Sequence, residues 1–242
     1  MINVQNIFKS YDKKQILNDI SFEINRGECV SIIGTSGIGK SVLLKSLIGL
    51  IEIDHGKIFI DNQLINKLPF KELQKIRSNI GMVFQFGALF DSMSVEENIS
   101  LALKRILNLS SNEIKDRVEE SLFEVGMSGN EKKMPSELSG GMKKRVGIAR
   151  SIAIRPRYMF YDEPTTGLDP IMTDSINKLI SNFHNTHDVT SIIVTHEMKV
   201  VRDVSERVIM LHDSGIKYDG QNKGLLNSDN PIIKNFVIGK SN

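Results

Sequence analysis

A short glycine-rich segment, Gly34–Ser41, constrains this chain more than any other part of its sequence. It reads GTSGIGKS, follows the apolar run Cys29–Ile33 and leads directly into the apolar-periodic stretch Val42–Ile51. This order predicts a buried strand, a loop and a helix, and the loop fits the pattern G-x-x-x-x-G-K-[ST] of phosphate-binding loops. In such a loop backbone N–H groups surround an anion, and the helix N-terminus adds positive potential.

Further apolar runs of strand length predict the fold class. They occur at Ile80–Phe84, Tyr158–Tyr161 and Ser191–Thr195, and shorter ones (VQNIF, SFEI, KIFI) precede residue 80. Strands that alternate with helical segments predict an α/β fold with a parallel sheet between helices. We expect one domain over residues 1–242, with a core that includes the loop and the region of about 155–215. A small antiparallel β portion is expected in the first 80 residues, and a mostly helical lobe at about 88–153.

The last segment, about residues 220–242, is polar apart from one apolar patch, PIIKNFVIG. An apolar patch of this kind needs a surface to cover it. Two arrangements fit the sequence equally well: the patch packs back as a helix, or it contacts a partner subunit.

Composition excludes several classes of protein. The chain has 242 residues with 31 Lys+Arg against 29 Asp+Glu, so its net charge is only +2. A dedicated nucleic-acid binder needs a basic face, so we expect no nucleic-acid partner. The single cysteine, Cys29, cannot form an internal disulfide. Ser41–Ile51 is interrupted by Lys45 and is too short to span a membrane, and the N-terminus lacks a secretory apolar core. We therefore expect a cytoplasmic location.

Each apolar run of the core is followed by a residue suited to phosphate chemistry. These residues are Gly34, Gln85, Asp162, Glu163 and His196. Ligands of open α/β sheets bind beyond the carboxyl ends of the strands. We therefore expect all five residues at one edge of the sheet.

The residue types at this edge indicate specific roles. Lys40 is placed to reach the β- and γ-phosphates of a nucleotide, and the Ser41 hydroxyl to ligate Mg²⁺. Asp162 would hold Mg²⁺ directly or through water, and Glu163 would orient and deprotonate the attacking water. Taken alone, the loop indicates only nucleoside triphosphate binding, as in kinases, GTPases and many ATPases. Two acidic residues at the end of a strand are, by themselves, equally consistent with an ordinary strand end whose carboxylates are solvated.

A second phosphate-binding device is predicted at Leu138–Met142, which reads LSGGM. Ser139 is a natural N-cap for the helical pattern that follows, and Gly140 and Gly141 expose backbone N–H groups at its start. A capped helix start without any ligand is the commoner meaning of such a pattern in isolation.

In this order along the chain, the motifs resemble those of ATP-binding-cassette (ABC) ATPases. The resemblance runs from Tyr11 to His196 and includes Gly167–Asp169, and the LSGG element is absent from other P-loop classes. It implies a P-loop NTPase core that binds ATP with Mg²⁺ and hydrolyses ATP. Met142 departs from the glutamine that commonly ends the LSGGQ motif, which leaves the phosphate-binding groups unchanged.

The resemblance implies roles for further residues. Tyr11 corresponds to an aromatic residue that stacks on adenine, and Gln85 to a glutamine that touches Mg²⁺ and the attacking water. His196 corresponds to a histidine that contacts the γ-phosphate, and Asp169 to an aspartate that couples two sites across a dimer. The predicted catalytic residues are Glu163 and His196, and the predicted metal ligands are Ser41, Gln85 and Asp162. The predicted nucleotide-binding residues are Tyr11, Gly34, Thr35, Ser36, Gly37, Ile38, Gly39, Lys40, Ser41, Val42, Gln85, Ser139, Gly140, Gly141 and Asp169.

The resemblance also implies partners. One phosphate loop and one LSGG element per chain imply a head-to-tail homodimer with two composite ATP sites. The segment Phe84–Ile99, together with Met134–Met142, resembles the ATPase of bacterial Mla/Mce-type lipid transporters. That resemblance implies a separate integral-membrane permease, a periplasmic lipid-binding protein, and a peripheral place at the cytoplasmic face of the bacterial inner membrane.

Two alternatives to lipid transport stay open at this point. The first is an ATPase for a small-solute importer, such as one for amino acids or ribonucleotides. The second is a soluble ABC ATPase that acts on DNA or ribosomes, which is disfavoured because the chain has no long coiled-coil insertion and only one cassette.

The role given to Glu163 is testable by the substitution Glu163→Gln. We expect the variant to bind ATP, to hydrolyse it very slowly and to accumulate as a closed dimer, because the amide cannot accept the water proton. Steady-state ATPase rates and size-exclusion chromatography with ATP measure both effects. Normal turnover by this variant would remove Glu163 from the catalytic role.

Overall fold

The computed structural model describes residues 1–107 and 109–240 of the chain. Two compact units form: one from Met1–Ile76 together with the chain from Thr190 onward, the other from Arg77–Val189. Within the described ranges, no helix is both long enough and apolar enough to cross a membrane.

Over residues 1–107 and 109–240, the strands are β1 (Ile2–Tyr11), β2 (Lys14–Ile24), β3 (Cys29–Ile33), β4 (His55–Ile60), β5 (Gln63–Leu64), β6 (Ile80–Val83), β7 (Tyr158–Asp162), β8 (Thr190–Thr195), β9 (Arg207–His212) and β10 (Gly215–Gln221). The α-helices of the described residues are α1 (Lys40–Leu47), α2 (Phe70–Arg77), α3 (Val95–Ile106), α4 (Ser111–Glu124), α5 (Gly140–Ile152), α6 (Pro170–His187), α7 (Met198–Val204), α8 (Asn222–Leu226) and α9 (Pro231–Val237). Short 3₁₀ helices occur at Ile65–Lys67 and Pro135–Glu137.

The first unit contains both kinds of sheet that the sequence predicts. An antiparallel sheet has the order β2-β1-β4-β5, which confirms the antiparallel portion expected before residue 80. In the other sheet β10, β9, β3 and β8 lie side by side, and β3 pairs in parallel with β8 and with β9. All residues of β3 and β8 are buried, as expected for strands covered on both faces.

Cys29 lies at the start of β3 and is fully enclosed by this sheet. Burial penalises the thiolate and raises the pKa of the Cys29 thiol to about 12, although a hydrogen bond with Ser205 opposes the shift. The thiol is therefore protonated at physiological pH.

The C-terminal segment packs against the core of the first unit. Asn230 caps α9 by accepting a hydrogen bond from the Ile232 N–H, and Pro231 occupies the first turn. Ile233 is 3% exposed and lies in a cluster with residues of β3, α7 and β9, while Phe236 packs at the edge of that cluster. Of the two arrangements open for the apolar patch, the structure has the helix that packs back. The last two residues of the predicted 220–242 segment lie outside the described residues.

The described part of the second unit combines a parallel strand pair with the α-helices α3 to α6. Strand β6 pairs in parallel with β7, and α3, α4, α5 and α6 belong to the same unit. The capping boxes Ser94/Glu97 and Ser110/Glu113 fix the starts of α3 and α4 by pairing backbone and side chain reciprocally. The unit is wider than the helical lobe predicted at about 88–153, because β6, β7 and α6 form part of it. Asn108, inside the predicted lobe, lies outside the described residues.

The predicted strand positions agree closely with the observed ones. The run Cys29–Ile33 is β3 without change, and the other three core runs differ from β6, β7 and β8 by one residue at one end. The α/β fold class is confirmed. Strands β9 and β10 were not predicted. Strand β10 is only partly buried and carries no such apolar run, and it lies mostly between the core region expected to end at about 215 and the segment expected to begin at about 220.

The packing of α9 can be tested with two isoleucines, one in its first turn and one just after its last residue. Ile233→Ala removes a buried side chain, so we expect it to lower the free energy of unfolding by about 2–5 kcal/mol. Ile238→Ala, at a side chain that is 54% exposed, should change it by about 0.5 kcal/mol or less. Urea denaturation followed by circular dichroism gives both values. Equal effects would contradict the packing of this helix against the core.

Candidate functional site

The phosphate loop connects β3 to α1 through backbone conformations that require glycine. Gly34 and Gly39 have φ angles of +151° and +110°. A Cβ on Gly34 would lie 2.7 Å from the carbonyl oxygen of Leu211, and one on Gly39 would lie 2.7 Å from Cγ2 of Ile16. Both positions therefore exclude any side chain, on conformational and steric grounds.

Lys40 is held by the loop that precedes it. Its Nζ donates to the carbonyl oxygens of Gly34 and Thr35 at 2.9 and 3.2 Å, and the residue is only 5% exposed. Ser41 and Val42 follow in the first turn of α1, which contains no acidic residue. An ammonium group and a helix N-terminus, with no carboxylate in that first turn, form an environment that favours an anion.

His196 leaves the same sheet edge as the phosphate loop. In the register of β3 with β8, Ile33 lies opposite Thr195, so Gly34 and His196 both follow the ends of adjacent parallel strands. Thr195 Oγ1 accepts a hydrogen bond from the Glu197 N–H at 3.0 Å, which fixes the chain just after the histidine. The predicted proximity of the loop and His196 is thus present within the first unit.

Tyr11 ends β1 at the hairpin with β2 and is 44% exposed. The Nζ of Lys9 lies 5.1 Å from the centre of its ring, a cation–π contact, while Asp54 holds the same ammonium at 2.9 Å. This hydrogen bond to Lys9 lowers the pKa of the Asp54 carboxyl. The role of Tyr11 as an adenine platform stays a prediction, and one face of its ring already carries a cation.

Gln85 and the acidic pair follow neighbouring strands of the second unit. Val83 of β6 lies opposite Tyr161 of β7 in a parallel register, so Gln85 and Glu163 follow strands that end side by side. Asp162 and Glu163 are 6% and 9% exposed. The second unit therefore places an amide and two shielded carboxylates at one strand edge, as the sequence predicted for this pair of runs.

The turn after β7 holds Glu163 in an unusual conformation. Its φ is +51°, a left-handed backbone that costs a non-glycine residue about 1 kcal/mol or more. Thr166 Oγ1 donates to Glu163 Oε2 at 3.1 Å, and Lys144 Nζ donates to the Thr166 carbonyl oxygen at 2.8 Å. The Thr166 hydroxyl thus orients the carboxylate, while Lys144 holds the backbone of the turn.

The LSGG element begins α5. Ser139 is its N-cap, with Oγ accepting a hydrogen bond from the Met142 N–H at 3.3 Å. Ser139 and Gly140 are exposed, and nothing lies within 4 Å of a Cβ built on Gly140. Gly141 is buried, and a Cβ there would overlap Cε of Met172 at the start of α6. The element offers an exposed helix N-terminus that can approach another molecule.

Asp169 has a structural role that the sequence analysis did not assign. Its Oδ1 accepts hydrogen bonds from the N–H groups of Ile171 and Met172, both at 2.9 Å, and so caps α6. The coupling role that the resemblance implies for Asp169 stays a prediction.

The segment after Gln85 is clamped by two residues that were not predicted. Arg150 of α5 donates to the carbonyl oxygens of Gly87 and Ala88 at 2.9 and 2.6 Å. Asn98 of α3 is fully buried, accepts from the Phe90 N–H at 2.7 Å and donates to the Phe90 carbonyl oxygen at 3.1 Å. A buried Asn among the apolar residues of α3 is the sequence signal that could have revealed this contact.

The residue types of the predicted metal ligands suit Mg²⁺. A hydroxyl, an amide oxygen and a carboxylate at Ser41, Gln85 and Asp162 are hard oxygen donors. Among the described residues, no group of three or more His, Cys, Asp or Glu side chains is arranged to hold a metal. Mg²⁺ commonly takes only one or two carboxylates together with substrate phosphates, so such a cage is not needed.

Comparison with known sequences identifies relatives over almost the whole chain. The profile of the family described as "ABC transporter" matches residues 17–166. A probable ribonucleotide transport ATP-binding protein of Mycobacterium leprae is 40% identical over 239 residues, 99% of this chain and 69% of that protein. A methionine import ATP-binding protein of Carboxydothermus hydrogenoformans is 39% identical over 241 residues, 98% and 71% of the two chains. Protein TRIGALACTOSYLDIACYLGLYCEROL 3 of Arabidopsis thaliana, a chloroplastic protein, is 38% identical over 256 residues, 99% and 74%.

The fold is shared with solved structures. An ATP-binding cassette described as a dimer in a post-hydrolysis state, bound to ADP and Pi, has a TM-score of 0.85 and 33% sequence identity. The match covers 92% of this chain and 99% of that cassette.

Of the three loop glycines, Gly37 and Gly39 differ in their surroundings, which gives a matched test of the loop geometry. Gly37→Ala places a Cβ in open space at φ +78°, so we expect a loss of about 1–2 kcal/mol of stability. Gly39→Ala adds the overlap with Ile16, and we expect a larger loss and weaker ATP binding. Thermal denaturation and fluorescent-nucleotide titration measure these effects. Equal losses for the two variants would contradict the close approach at Gly39.

Proposed function

The chain belongs to the ABC transporter family, and on that premise we propose that two copies act head to tail and drive transport through a separate integral-membrane permease. The chain itself is the ATP-binding, ATP-hydrolysing subunit. We place it peripherally, at the cytoplasmic face of a bacterial inner membrane.

The head-to-tail pair is supported by the exposure of the LSGG element. Each chain has one phosphate loop, in the first unit, and one LSGG element (the signature), whose exposed helix N-terminus lies in the second unit. In a pair related by a twofold axis every contact occurs twice. If the phosphate loop of one copy faces the signature of the other, the reverse contact therefore also forms, and the pair has two such sites. The solved cassette described as a dimer with ADP and Pi supports the pairing of two copies.

The proposed chemistry uses the residues described above in distinct roles. The oxygen of a water molecule forms a bond to the γ-phosphorus while Glu163 accepts a proton from that water. The bond between the γ-phosphorus and the β–γ bridging oxygen breaks, and its electron pair leaves with ADP. Lys40 and the loop N–H groups stabilise negative charge on the phosphates, and His196 contacts the γ-phosphate.

Mg²⁺ would be held by Ser41, Gln85 and Asp162. When bound, it neutralises charge on the β- and γ-phosphate oxygens. Asp162 is held in a fully buried strand, so its carboxylate is positioned before any ligand arrives. Gln85 directly precedes the segment that Arg150 and Asn98 hold. A shift of that segment would therefore move Gln85, a predicted metal ligand.

The observation that carries the transporter proposal is an exposed aromatic pair beside Gln85. Phe86 and Phe90 are 79% and 51% exposed, on a segment whose backbone is fixed by Arg150 and Asn98. A mostly apolar groove of about 440 Å³ lies alongside and is lined by Phe84, Phe90, Leu101 and Ile106, among others. Rigidly presented aromatic side chains beside an apolar groove are typical of a protein-binding surface. We assign this surface to a cytoplasmic helix of the permease.

The cargo is proposed from the names of the relatives. Two of them are named for small solutes, ribonucleotides and methionine, so we propose small-solute import first. Lipid transport, to which the sequence motifs pointed, becomes the second candidate. One observation favours it: a relative of similar identity and coverage is named after a galactolipid. A periplasmic lipid-binding partner belongs to this second candidate only.

The test is to purify the tagged chain from gently solubilised native membranes and identify its partners by mass spectrometry. We expect a permease with the wild-type chain, and at least about tenfold less permease with Phe86→Asp, because a charge would disrupt the apolar contact. Phe123→Asp is the matched control, since Phe123 is about equally exposed, at 77%, but lies on helix α4 rather than in the segment after β6. This control should keep the permease.

The outcomes separate the proposals. A co-purified solute-binding protein supports small-solute import, whereas a lipid-binding protein with bound phospholipid supports the second candidate. A wild-type preparation that hydrolyses ATP without any integral-membrane partner contradicts the transporter proposal. Equal losses for Phe86→Asp and Phe123→Asp contradict the surface that we assign to the permease.

A further inference from the structure

Lys144 is a buried cation that the proposed chemistry does not use. It lies in the second turn of α5, five residues after the cap Ser139, and is only 5% exposed. Gly141 and Ile148 are buried on the same helix at spacings of three and four residues from it. A lysine within the apolar stripe of a helix is unusual, because burial of an ammonium group is costly unless its N–H groups are paired.

The partners of this ammonium group lie in the turn that holds Glu163. Nζ donates to the carbonyl oxygen of Thr166 at 2.8 Å and approaches the carbonyl oxygen of Glu163 at 3.5 Å. Thr166 in turn donates its hydroxyl to the Glu163 carboxylate. One buried lysine thus holds both ends of a turn whose first residue has a left-handed backbone.

We propose that Lys144 is a positioning residue for Glu163, and that it links the signature end of α5 to the direction of that carboxylate. The inference rests on the proposed role of Glu163 as the base. Ser139 and Lys144 are little more than one turn apart on a single helix. When a nucleotide held by a second copy binds the signature of this chain, it therefore contacts the helix that fixes Glu163 of this chain.

This role differs in its kinetics from a structural one. Loss of a positioning contact misdirects the carboxylate without touching the phosphate loop, so kcat should fall while ATP affinity stays the same. A general loss of packing in the second unit would instead lower stability and leave the kinetics of the folded fraction unchanged.

The main variant is Lys144→Met, which keeps the length of the side chain and removes its donors. We expect kcat to fall about 10- to 100-fold, with the ATP dissociation constant and KM within about twofold of wild type. Lys144→Gln restores one uncharged donor and should recover part of the lost kcat. Lys143→Met, at the adjacent lysine, is the matched control and should behave like wild type.

Two results would overturn the proposal: an unchanged kcat in Lys144→Met, or a Lys144→Gln variant that is as slow as Lys144→Met. Thermal denaturation accompanies each assay. If Lys144→Met is too unstable to assay, the comparison of Lys144→Gln with wild type carries the test, and a fall in ATP affinity without a fall in kcat would then overturn it.

A double-mutant cycle with Glu163→Gln separates this proposal from the one on which it rests. If Lys144 acts through the carboxylate, Lys144→Met should cause little further loss in single-turnover rate when Glu163 is already Gln. A further 10- to 100-fold loss would mean that Lys144 acts independently of Glu163 and would overturn the proposal. Normal turnover by Glu163→Gln alone would instead refute the assignment of the base.

Discussion

The chemistry of this chain depends on the in-register pairing of parallel strands. Because Ile33 lies opposite Thr195, the phosphate loop and His196 leave the sheet at the same edge. The same geometry in the second unit, with Val83 opposite Tyr161, brings Gln85 and the acidic pair to one edge. A shift of either pairing by one residue would turn every following side chain to the opposite face. The pairing of these strands therefore brings the functional residues of the following loops together.

Helix α5 is the second organising element. Its N-terminus is the signature, its second turn holds the turn of Glu163, and Arg150 in its last turn holds the segment that follows Gln85. Three segments with different proposed ligands, a nucleotide, a water molecule and a permease, therefore rest on one helix of 13 residues. A helix is stiff along its axis because each turn is bonded to the next. This arrangement gives a physical route by which those segments respond together.

The sequence predicted the bounds of four core strands well, but it did not predict the contacts that link the motifs. Apolar runs such as Cys29–Ile33 are flanked by polar or charged residues or by glycine, so their predicted bounds agree with those of the strands to within one residue. The contact of Lys144 was not predicted, because its partners are backbone carbonyls, one of them 22 residues away along the chain. The left-handed backbone of Glu163 could not be predicted, because a glutamate in a sequence does not indicate a positive φ angle. The carboxylate of Asp169 also caps α6, a local role that the Asp-Pro pair could have indicated, and its role across a dimer stays a prediction.

The burial of Cys29 determines how this chain meets thiol chemistry. Oxidants and alkylating reagents attack the thiolate, and at this position the group is both protonated and enclosed. The strand that leads into the phosphate loop is therefore inert to oxidation while it remains paired. Because the sequence has a single cysteine, any labelling of the chain by a thiol reagent must pass through an opened form of that strand. The rate of labelling therefore reports the opening of β3 from its sheet.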